Sequence, residues 1–176
     1  IMEGQVREAL AAGACGISLG LAYIPGSSEE EIYRLSQIVA DADKLIAVDT
    51  RLKTPDDLDS LREVVEISRR TGARTQVSHF VYQYGTGVLT EALAIIDEAR
   101  AEGIDIRLDS GMYTPWTSGI QAVLFSPESL AASSLELSDI LIITGPYKGQ
   151  RMTKERYDEL RSQEERTSVV VFGDGV

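Results

Sequence analysis

The sequence predicts an α/β protein with a parallel sheet. From residue 16 to residue 109, apolar strand-like runs alternate with amphipathic helical patterns, and the strand-then-helix unit repeats about every 30 residues. Three successive strand-like runs also end in side chains able to do chemistry, at Asp49, His79 and Asp109. These units would supply roughly half of a TIM-type (β/α)8 barrel. An open doubly wound sheet is the alternative, but the sequence has no GxGxxG or GxxxxGK[ST] phosphate turn.

The helices are indicated by polar caps, acidic first turns and apolar stripes. Helices are predicted over about 2–12 and 87–102 and from Thr153 to Ser162. Ser27 or Ser28 is expected to cap the second helix, and Thr54, followed by Pro55, the third, which ends at Thr71-Gly72. The residues predicted to face the core are Ile32, Leu35, Ile38, Val39, Leu58, Leu61, Val64, Val65, Ile67, Leu89, Leu93, Ile96 and Ala99.

The strand-like runs are short and rich in apolar residues. A loop containing Tyr82, Tyr84 and Gly85 is predicted between the third strand and the helix at 87–102, and a second loop over Met112 to Ser126. The predicted strands are Gly16 to Leu21, Leu45 to Asp49, Arg74 to His79, Ile104 to Asp109, Asp139 to Thr144 and Ser168 to Phe172.

Composition and charge narrow the class of protein. The chain has 176 residues, 43% of them hydrophobic, with a mean hydropathy of −0.07, which is typical of a soluble globular protein of one domain over residues 1–176. The net charge of −11 argues against nucleic acid or an anionic membrane as partner. No apolar run reaches the roughly 18 residues of a spanning helix. The single cysteine, Cys15, fits a cytoplasmic location, and we predict that it is a small buried core residue.

The ends of the chain resemble the ends of an internal segment. The sequence begins with Ile1-Met2-Glu3-Gly4 inside a helical pattern, and it stops just after the last predicted strand. We therefore expect a fragment of a longer protein. Half a barrel exposes sheet edges and apolar helix faces, so the fragment alone is expected to form homo-oligomers or aggregate.

His79, Asp49 and Asp109 are the candidates for metal or acid–base chemistry, because the carboxyl ends of parallel strands share one edge of the sheet. His79 could be a zinc ligand or a strand-end histidine bonded within a loop. Asp49 could bind metal or act as a base with Arg51 clamping a substrate carboxylate, or the two could form an ion pair. Asp109 could lie on the rim of the pocket or orient a neighbouring ligand.

Three further residues are candidates for contacts with a substrate. Tyr113 and Ser118 belong to a hydroxyl-rich stretch after Asp109, and Tyr23 follows the first strand at its carboxyl end. A polar surface loop and a plain turn are the alternatives for these positions. The sequence contains no CxxC, HxH or HExxH motif.

Three motifs resemble those of one enzyme family. Residues 8–26, EALAAGACGISLGLAYIPG, resemble the EAGAxGxSxGLxYxPG stretch of the N-acyl-D-amino-acid deacylases (D-aminoacylases), which are metal-dependent (β/α)8 barrels of the amidohydrolase superfamily. Val77-Ser78-His79 resembles the family's ISH strand end, whose histidine is a zinc ligand. The stretch from Asp105 through Thr114 resembles its VxxDxYPYxA segment, whose tyrosine contacts the substrate. The resemblance covers about residues 4–120 well and the remainder loosely.

The resemblance implies a hydrolase that holds one or two Zn²⁺ ions and cleaves N-acyl-D-amino acids through a zinc-activated water. His79 and Asp49 would be metal ligands, and Asp109 would orient a neighbouring ligand. The substrate would be bound by Arg51, Tyr113, Ser118 and Tyr23. Asp49 stands where the family's THxR motif has histidine, and Val81 replaces a basic residue after SH. The HxH motif, the bridging cysteine and the general acid/base aspartate would lie outside the fragment, the aspartate beyond Val176. A cyclic-amide hydrolase of the dihydroorotase or hydantoinase type, and a non-catalytic scaffold, are the alternatives.

Overall fold

A computed structural model describes residues 1–24, 26–51, 57–85, 87–111, 113–133 and 135–172. The chain divides into two compact units, residues 1–111 and 112–176. Each unit has its own cluster of buried apolar side chains. The assignment of residues 1–176 to one barrel domain stays a prediction.

Apart from a short helix at 80–84, the first unit alternates helices and strands in the order that the sequence predicts. Ser28 caps α2 by accepting the N–H of Glu31 at 3.2 Å, and Gly72 ends α3 in the left-handed conformation with φ of 69°. Only a residue without Cβ adopts that conformation without strain. The elements are α1 (Met2–Ala11), β1 (Gly16–Gly20), α2 (Glu29–Asp41), β2 (Leu45–Asp49), α3 (Leu58–Thr71), β3 (Arg74–Val77), α4 (Phe80–Tyr84), α5 (Leu89–Ala101) and β4 (Ile106–Leu108).

The four strands form one parallel sheet in the order β1-β2-β3-β4. Gly20 pairs with Asp49, and Val48 pairs with Val77, so the carboxyl ends of β1, β2 and β3 lie at the same edge. Sequential order with helical crossovers is the arrangement of a barrel wall. The parallel sheet predicted for residues 16–109 is confirmed.

Within the first unit, the described helices pack on one face of this sheet. Ile46, Val48, Val77 and Ile106 are buried on that face among side chains of α2, α3 and α5. The register places Ser18, Ala47, Gln76 and Arg107 side by side in the row between them, and all four retain solvent exposure. The polar face is therefore the one available for chemistry. Among the described residues, no helix combines the length and the apolar character needed to cross a membrane.

The second unit is built around an antiparallel sheet. Strands β5 (Trp116–Gly119), β6 (Ile140–Ile142) and β7 (Ser168–Val171) pair in the order β5-β7-β6, with helices α6 (Pro127–Ala132) and α7 (Lys154–Ser162). The prediction of a loop from Met112 to Ser126 is wrong for the described residues, because this stretch contains β5 and a 3-10 turn. Two nonlocal contacts stabilise it: β5 pairs with β7, and the Trp116 ring stacks on Phe125 with centroids 5.6 Å apart.

Three further predictions about the first unit need correction. The loop with Tyr82 and Tyr84 begins as the short helix α4, because Phe80 and Tyr84 lie one turn apart and both are buried. Leu93 is exposed, because Ala92 takes the inward position on α5. Cys15 is exposed, because it precedes β1 at the amino edge of the sheet, beyond the cover of the helices.

The start of α3 also differs from the prediction. Thr54 and Pro55, expected to begin this helix, lie outside the described residues. The described helix begins at Leu58, and Asp57 caps it by accepting the N–H of Ser60 at 3.2 Å.

Two glycine-to-alanine substitutions are expected to change stability in opposite directions. A Cβ on Gly16 would stand 1.8 Å from the backbone oxygen of Leu45, so Gly16→Ala should lower the free energy of unfolding by about 1–3 kcal/mol. Gly4 in α1 has nothing within 4 Å of its Cβ position, so Gly4→Ala should raise it by about 0.5–1 kcal/mol. Urea unfolding of both variants measures the difference, and a Gly16→Ala protein as stable as wild type would contradict the close approach of β1 to β2.

Candidate functional site

His79 lies at the carboxyl edge of the parallel sheet in an uncommon backbone conformation. It follows β3 and precedes α4, with φ of 38° and ψ of 52°, in the left-handed region. Histidine enters this region more readily than most residues, at a cost of about 1–2 kcal/mol. The reversal of the chain here directs the imidazole along the edge of the sheet instead of continuing the strand.

Asp109 stabilises this conformation from the neighbouring strand end. Its Oδ1 accepts the backbone N–H of His79 at 2.5 Å, and its Oδ2 accepts Nε2–H of Gln76 at 3.1 Å. The backbone oxygen of Asp109 also accepts the N–H of Phe80 at 2.8 Å. Bonds to a carboxylate are the stronger class of hydrogen bond, so they offset the backbone strain at His79. Asp109 therefore contacts the turn that carries the imidazole.

The imidazole of His79 lies against Asp49 from the adjacent strand. His79 Nε2 is 3.3 Å from Asp49 Oδ1, and the two side chains are 49% and 19% exposed. The pairing of β2 with β3 creates this juxtaposition, because it aligns the ends of the two strands. The structure thus brings together the three strand-end residues that the sequence singles out.

The donor chemistry and spacing of this pair fit part of a zinc site. Imidazole nitrogen and carboxylate oxygen are both zinc ligands, and two ligands of one tetrahedral zinc ion lie about 3.4 Å apart. Among the described residues, no group of three or more His, Cys, Asp and Glu side chains has the arrangement of a metal site. His79 and Asp49 can therefore provide two ligands, fewer than a complete zinc site requires.

Arg51 is engaged by a neighbouring carboxylate. Its Nε lies 3.0 Å from Oε1 and 2.9 Å from Oε2 of Glu63 on α3, and its Nη2 donates to the carbonyl oxygen of Ser27 at 2.6 Å. The Arg51 side chain is only 12% exposed. Arg51 thus ties the end of β2 to α3, and its role as a substrate clamp stays a prediction.

The three other candidates for substrate binding lie in the turn after β1 and in the second unit. Tyr23 is exposed in the turn after β1, where its N–H donates to the carbonyl of Gly20 at 3.0 Å. Tyr113 is exposed and Ser118 lies within β5, both in the second unit. Their roles stay predictions.

Sequence reasoning missed a group of buried polar residues beside the pair. Thr50 Oγ1 donates to Gln83 Oε1 at 2.9 Å and accepts from the hydroxyl of Tyr84 at 2.8 Å. Burial is the main reason that the pKa of Tyr84 rises to about 12, and the bond to Thr50 acts in the opposite direction. The only sequence signal is the polar pair Gln83 and Thr50 near strand ends, which is too common to be diagnostic. Gln76 was also missed, although strand alternation places it on the polar face.

Comparison with known proteins identifies the class of fold. Over 97% of the chain, the structure matches the N-acyl-D-glutamate deacylase of Bordetella bronchiseptica, solved with zinc and a phosphonate mimic of the tetrahedral intermediate, with a TM-score of 0.77 and 26% identity. It matches a D-aminoacylase described as having a binuclear metal centre with a TM-score of 0.75 and 23% identity, over the same share of the chain. The chain spans 37% of each of these proteins. The predicted fold class, α/β with parallel βα repeats as in part of a TIM-type barrel, is confirmed.

The sequence comparison points to the same group of proteins. The chain is 38% identical over 112 residues to the N-acyl-D-glutamate deacylase of Alcaligenes xylosoxydans xylosoxydans, which is 61% of this chain and 23% of that protein. No protein-family model matches. An L-hydantoinase from Arthrobacter aurescens is a more distant match, with a TM-score of 0.50 over 62% of the chain and 18% identity. The predicted resemblance to the N-acyl-D-amino-acid deacylases is confirmed.

The buried hydroxyl of Tyr84 should make stability depend on pH in the alkaline range. The unfolded tyrosine ionises near pH 10 and the folded one near 12, so the stabilisation is complete below pH 10 and is lost as pH rises through 12. By pH 12 wild type should lose about 2 kcal/mol of unfolding free energy that a Tyr84→Phe variant keeps. Denaturant unfolding of both proteins across this range measures the difference, and parallel curves would contradict the burial of this hydroxyl.

Proposed function

We propose that this chain is part of a zinc-dependent hydrolase that cleaves the amide bond of N-acyl-D-amino acids. The observation that carries the proposal is the 3.3 Å approach of His79 Nε2 to Asp49 Oδ1 at the carboxyl edge of a parallel sheet. The similarity to two N-acyl-D-glutamate deacylases, one of them solved with zinc and a phosphonate inhibitor, supports it. A related amide is the wider substrate class.

The residues of this chain would hold and orient the metal. His79 would donate through Nε2 and Asp49 through Oδ1, with the remaining ligands supplied from elsewhere in the protein. At such a site zinc supplies Lewis acidity, which polarises the amide carbonyl and lowers the pKa of a water molecule. Asp109 would keep the imidazole in place through its bond to the His79 backbone, since residues behind metal ligands fix ligand orientation.

Substrate binding is proposed for Arg51, Tyr23, Tyr113 and Ser118. Arg51 is the residue suited to a carboxylate, because guanidinium binds carboxylates through two parallel hydrogen bonds. Glu63 already makes contacts of this kind with Arg51. Binding of a substrate carboxylate by Arg51 therefore requires that the substrate share or replace Glu63.

Two alternatives have unequal support. A cyclic-amide hydrolase is favoured less, because the match to the L-hydantoinase covers 62% of the chain and the match to the deacylase covers 97%. A non-catalytic scaffold is favoured by one observation, namely that the described residues contain no metal-binding cluster of three or more His, Cys, Asp and Glu. Metal content separates the scaffold from the hydrolase.

The proposal extends to the partner, the location and the assembly of the protein. A small acylated amino acid is the proposed partner, and the net charge of −11 disfavours nucleic acid. A cytoplasmic location is supported by the presence of a single cysteine. For the 176-residue chain alone, homo-oligomers are the expected assembly, because no strand among the described residues pairs with the outer edges of β1 and β4.

Removing either proposed ligand should remove zinc. In the protein at its natural length, mass spectrometry of the wild type should find about one or two zinc ions per chain, and fewer in His79→Ala and Asp49→Asn. Hydrolysis of N-acyl-D-amino acids should fall with the metal. Asp97→Asn, which changes an exposed aspartate on α5, is the matched control and should retain full zinc content.

Each result decides between the candidate functions. Zinc that survives Asp49→Asn would make Asp49 an ion-pair partner of His79 instead of a ligand. A wild-type protein without zinc would overturn the hydrolase proposal and leave the scaffold in its place.

The 176-residue chain alone is expected to hydrolyse no acyl amino acid. Its described residues offer two ligands at the sheet edge, whereas catalytic zinc sites use about three protein ligands and one open position. The assay is turnover of N-acyl-D-amino acids by the purified chain with added zinc. Metal-dependent turnover by this chain would contradict the expectation.

A further inference from the structure

A chain of three polar side chains is buried beneath the edge of the sheet where His79 and Asp49 meet. Tyr84 donates its hydroxyl hydrogen to Thr50 Oγ1 at 2.8 Å, and Thr50 donates its own to Gln83 Oε1 at 2.9 Å. Thr50 and Tyr84 have no exposed surface, and Gln83 has 7%. We call Thr50, Gln83 and Tyr84 the buried polar chain.

The position of these residues is more informative than their burial. Thr50 follows Asp49 directly at the end of β2, and Gln83 and Tyr84 lie on α4, the helix that begins after His79. The hydrogen bonds therefore cross from the segment carrying Asp49 to the segment carrying His79. They join these two segments through side chains at a place away from the 3.3 Å contact itself.

A purely apolar core would hold these segments together less specifically. Valine and phenylalanine have nearly the shapes of threonine and tyrosine and bury no hydroxyl group. A buried hydroxyl costs free energy unless it is bonded, and a bonded one fixes distance and direction between its partners. The backbone bond from the Phe80 N–H to the carbonyl of Asp109 holds the first residue of α4, and Gln83 and Tyr84 lie about one turn further along the helix.

We propose that the buried polar chain positions Asp49 and His79 against each other, so that Oδ1 and Nε2 stand at the separation two zinc ligands need. Thr50 fixes the end of β2, and Tyr84 and Gln83 fix α4, whose start sets the orientation of the imidazole. The bond between Asp109 and the His79 backbone constrains the same turn from the other side. The part of this inference that concerns zinc rests on the proposed function, whereas the positioning itself concerns the metal-free chain.

The first arm of the test uses the protein at its natural length with the metal removed. Comparison with a His79→Ala variant identifies the imidazole signals of His79 in a ¹H–¹³C or ¹H–¹⁵N spectrum. Thr50→Val and Tyr84→Phe remove a hydroxyl each and should both shift these signals from their wild-type positions. Two matched variants control for a general loss of stability, and they should leave the His79 signals unchanged.

The matched variants remove similar buried hydroxyl groups elsewhere. Thr75→Val acts on β3, where Thr75 is 1% exposed and accepts from Ser68 Oγ at 2.6 Å. Tyr157→Phe acts in the second unit, where the hydroxyl of Tyr157 donates to the carbonyl of Phe125 at 2.5 Å. Unchanged His79 signals in Thr50→Val and Tyr84→Phe, or equal shifts in all four variants, would overturn the positioning role.

The second arm measures zinc affinity in the protein at its natural length by competition with a chelator. Thr50→Val and Tyr84→Phe should weaken zinc binding about 10- to 100-fold, as mutation of residues that support metal ligands does. Thr75→Val and Tyr157→Phe should leave the zinc affinity unchanged. Zinc bound equally well by all variants would overturn the inference. A wild type that binds no zinc, with His79 signals that still respond to Thr50→Val, would overturn the proposed function and leave the positioning intact.

Discussion

The hydrogen bond from the His79 backbone to Asp109 is the interaction on which the site depends most directly. Without an acceptor at this point, the left-handed turn at His79 would carry its strain together with an unbonded N–H. The bond crosses from the end of β4 to the end of β3, so the pairing of these strands must be correct before the turn can form. The geometry of the imidazole is thus a consequence of sheet register, which is itself set by burial of one face.

The two faces of the sheet in the first unit have different roles. The face with Ile46, Val48 and Val77 packs against the helices and contributes the hydrophobic free energy that holds the unit together. The other face carries Gln76 and the strand-end carboxylates, where solvation and hydrogen bonding remain available. Polar side chains can lie at the edge of the sheet because burial of the apolar face already stabilises the unit.

Two charged side chains at the edge of the sheet have partners within the unit. Arg51 lies against Glu63, and Asp49 lies against the imidazole of His79. Asp109 instead accepts three hydrogen bonds, two at its carboxylate and one at its backbone oxygen. A carboxylate satisfied in this way is held as an acceptor, which suits a residue that supports a neighbouring ligand.

The sequence by itself determined the order of the strands and the longer helices in the first unit, the parallel pairing of the strands and the three strand ends that carry Asp49, His79 and Asp109. Those features follow from local periodicity and from the geometry of parallel sheets, so they can be derived residue by residue. Tertiary structure alone decided the left-handed turn at His79, the partner of Arg51, the buried bonds of Thr50 and the exposure of Cys15. It also decided the antiparallel sheet of the second unit, where β5 pairs with β7 about fifty residues away. Each of these depends on contacts between residues distant in sequence, and such contacts leave no periodic signal in the chain.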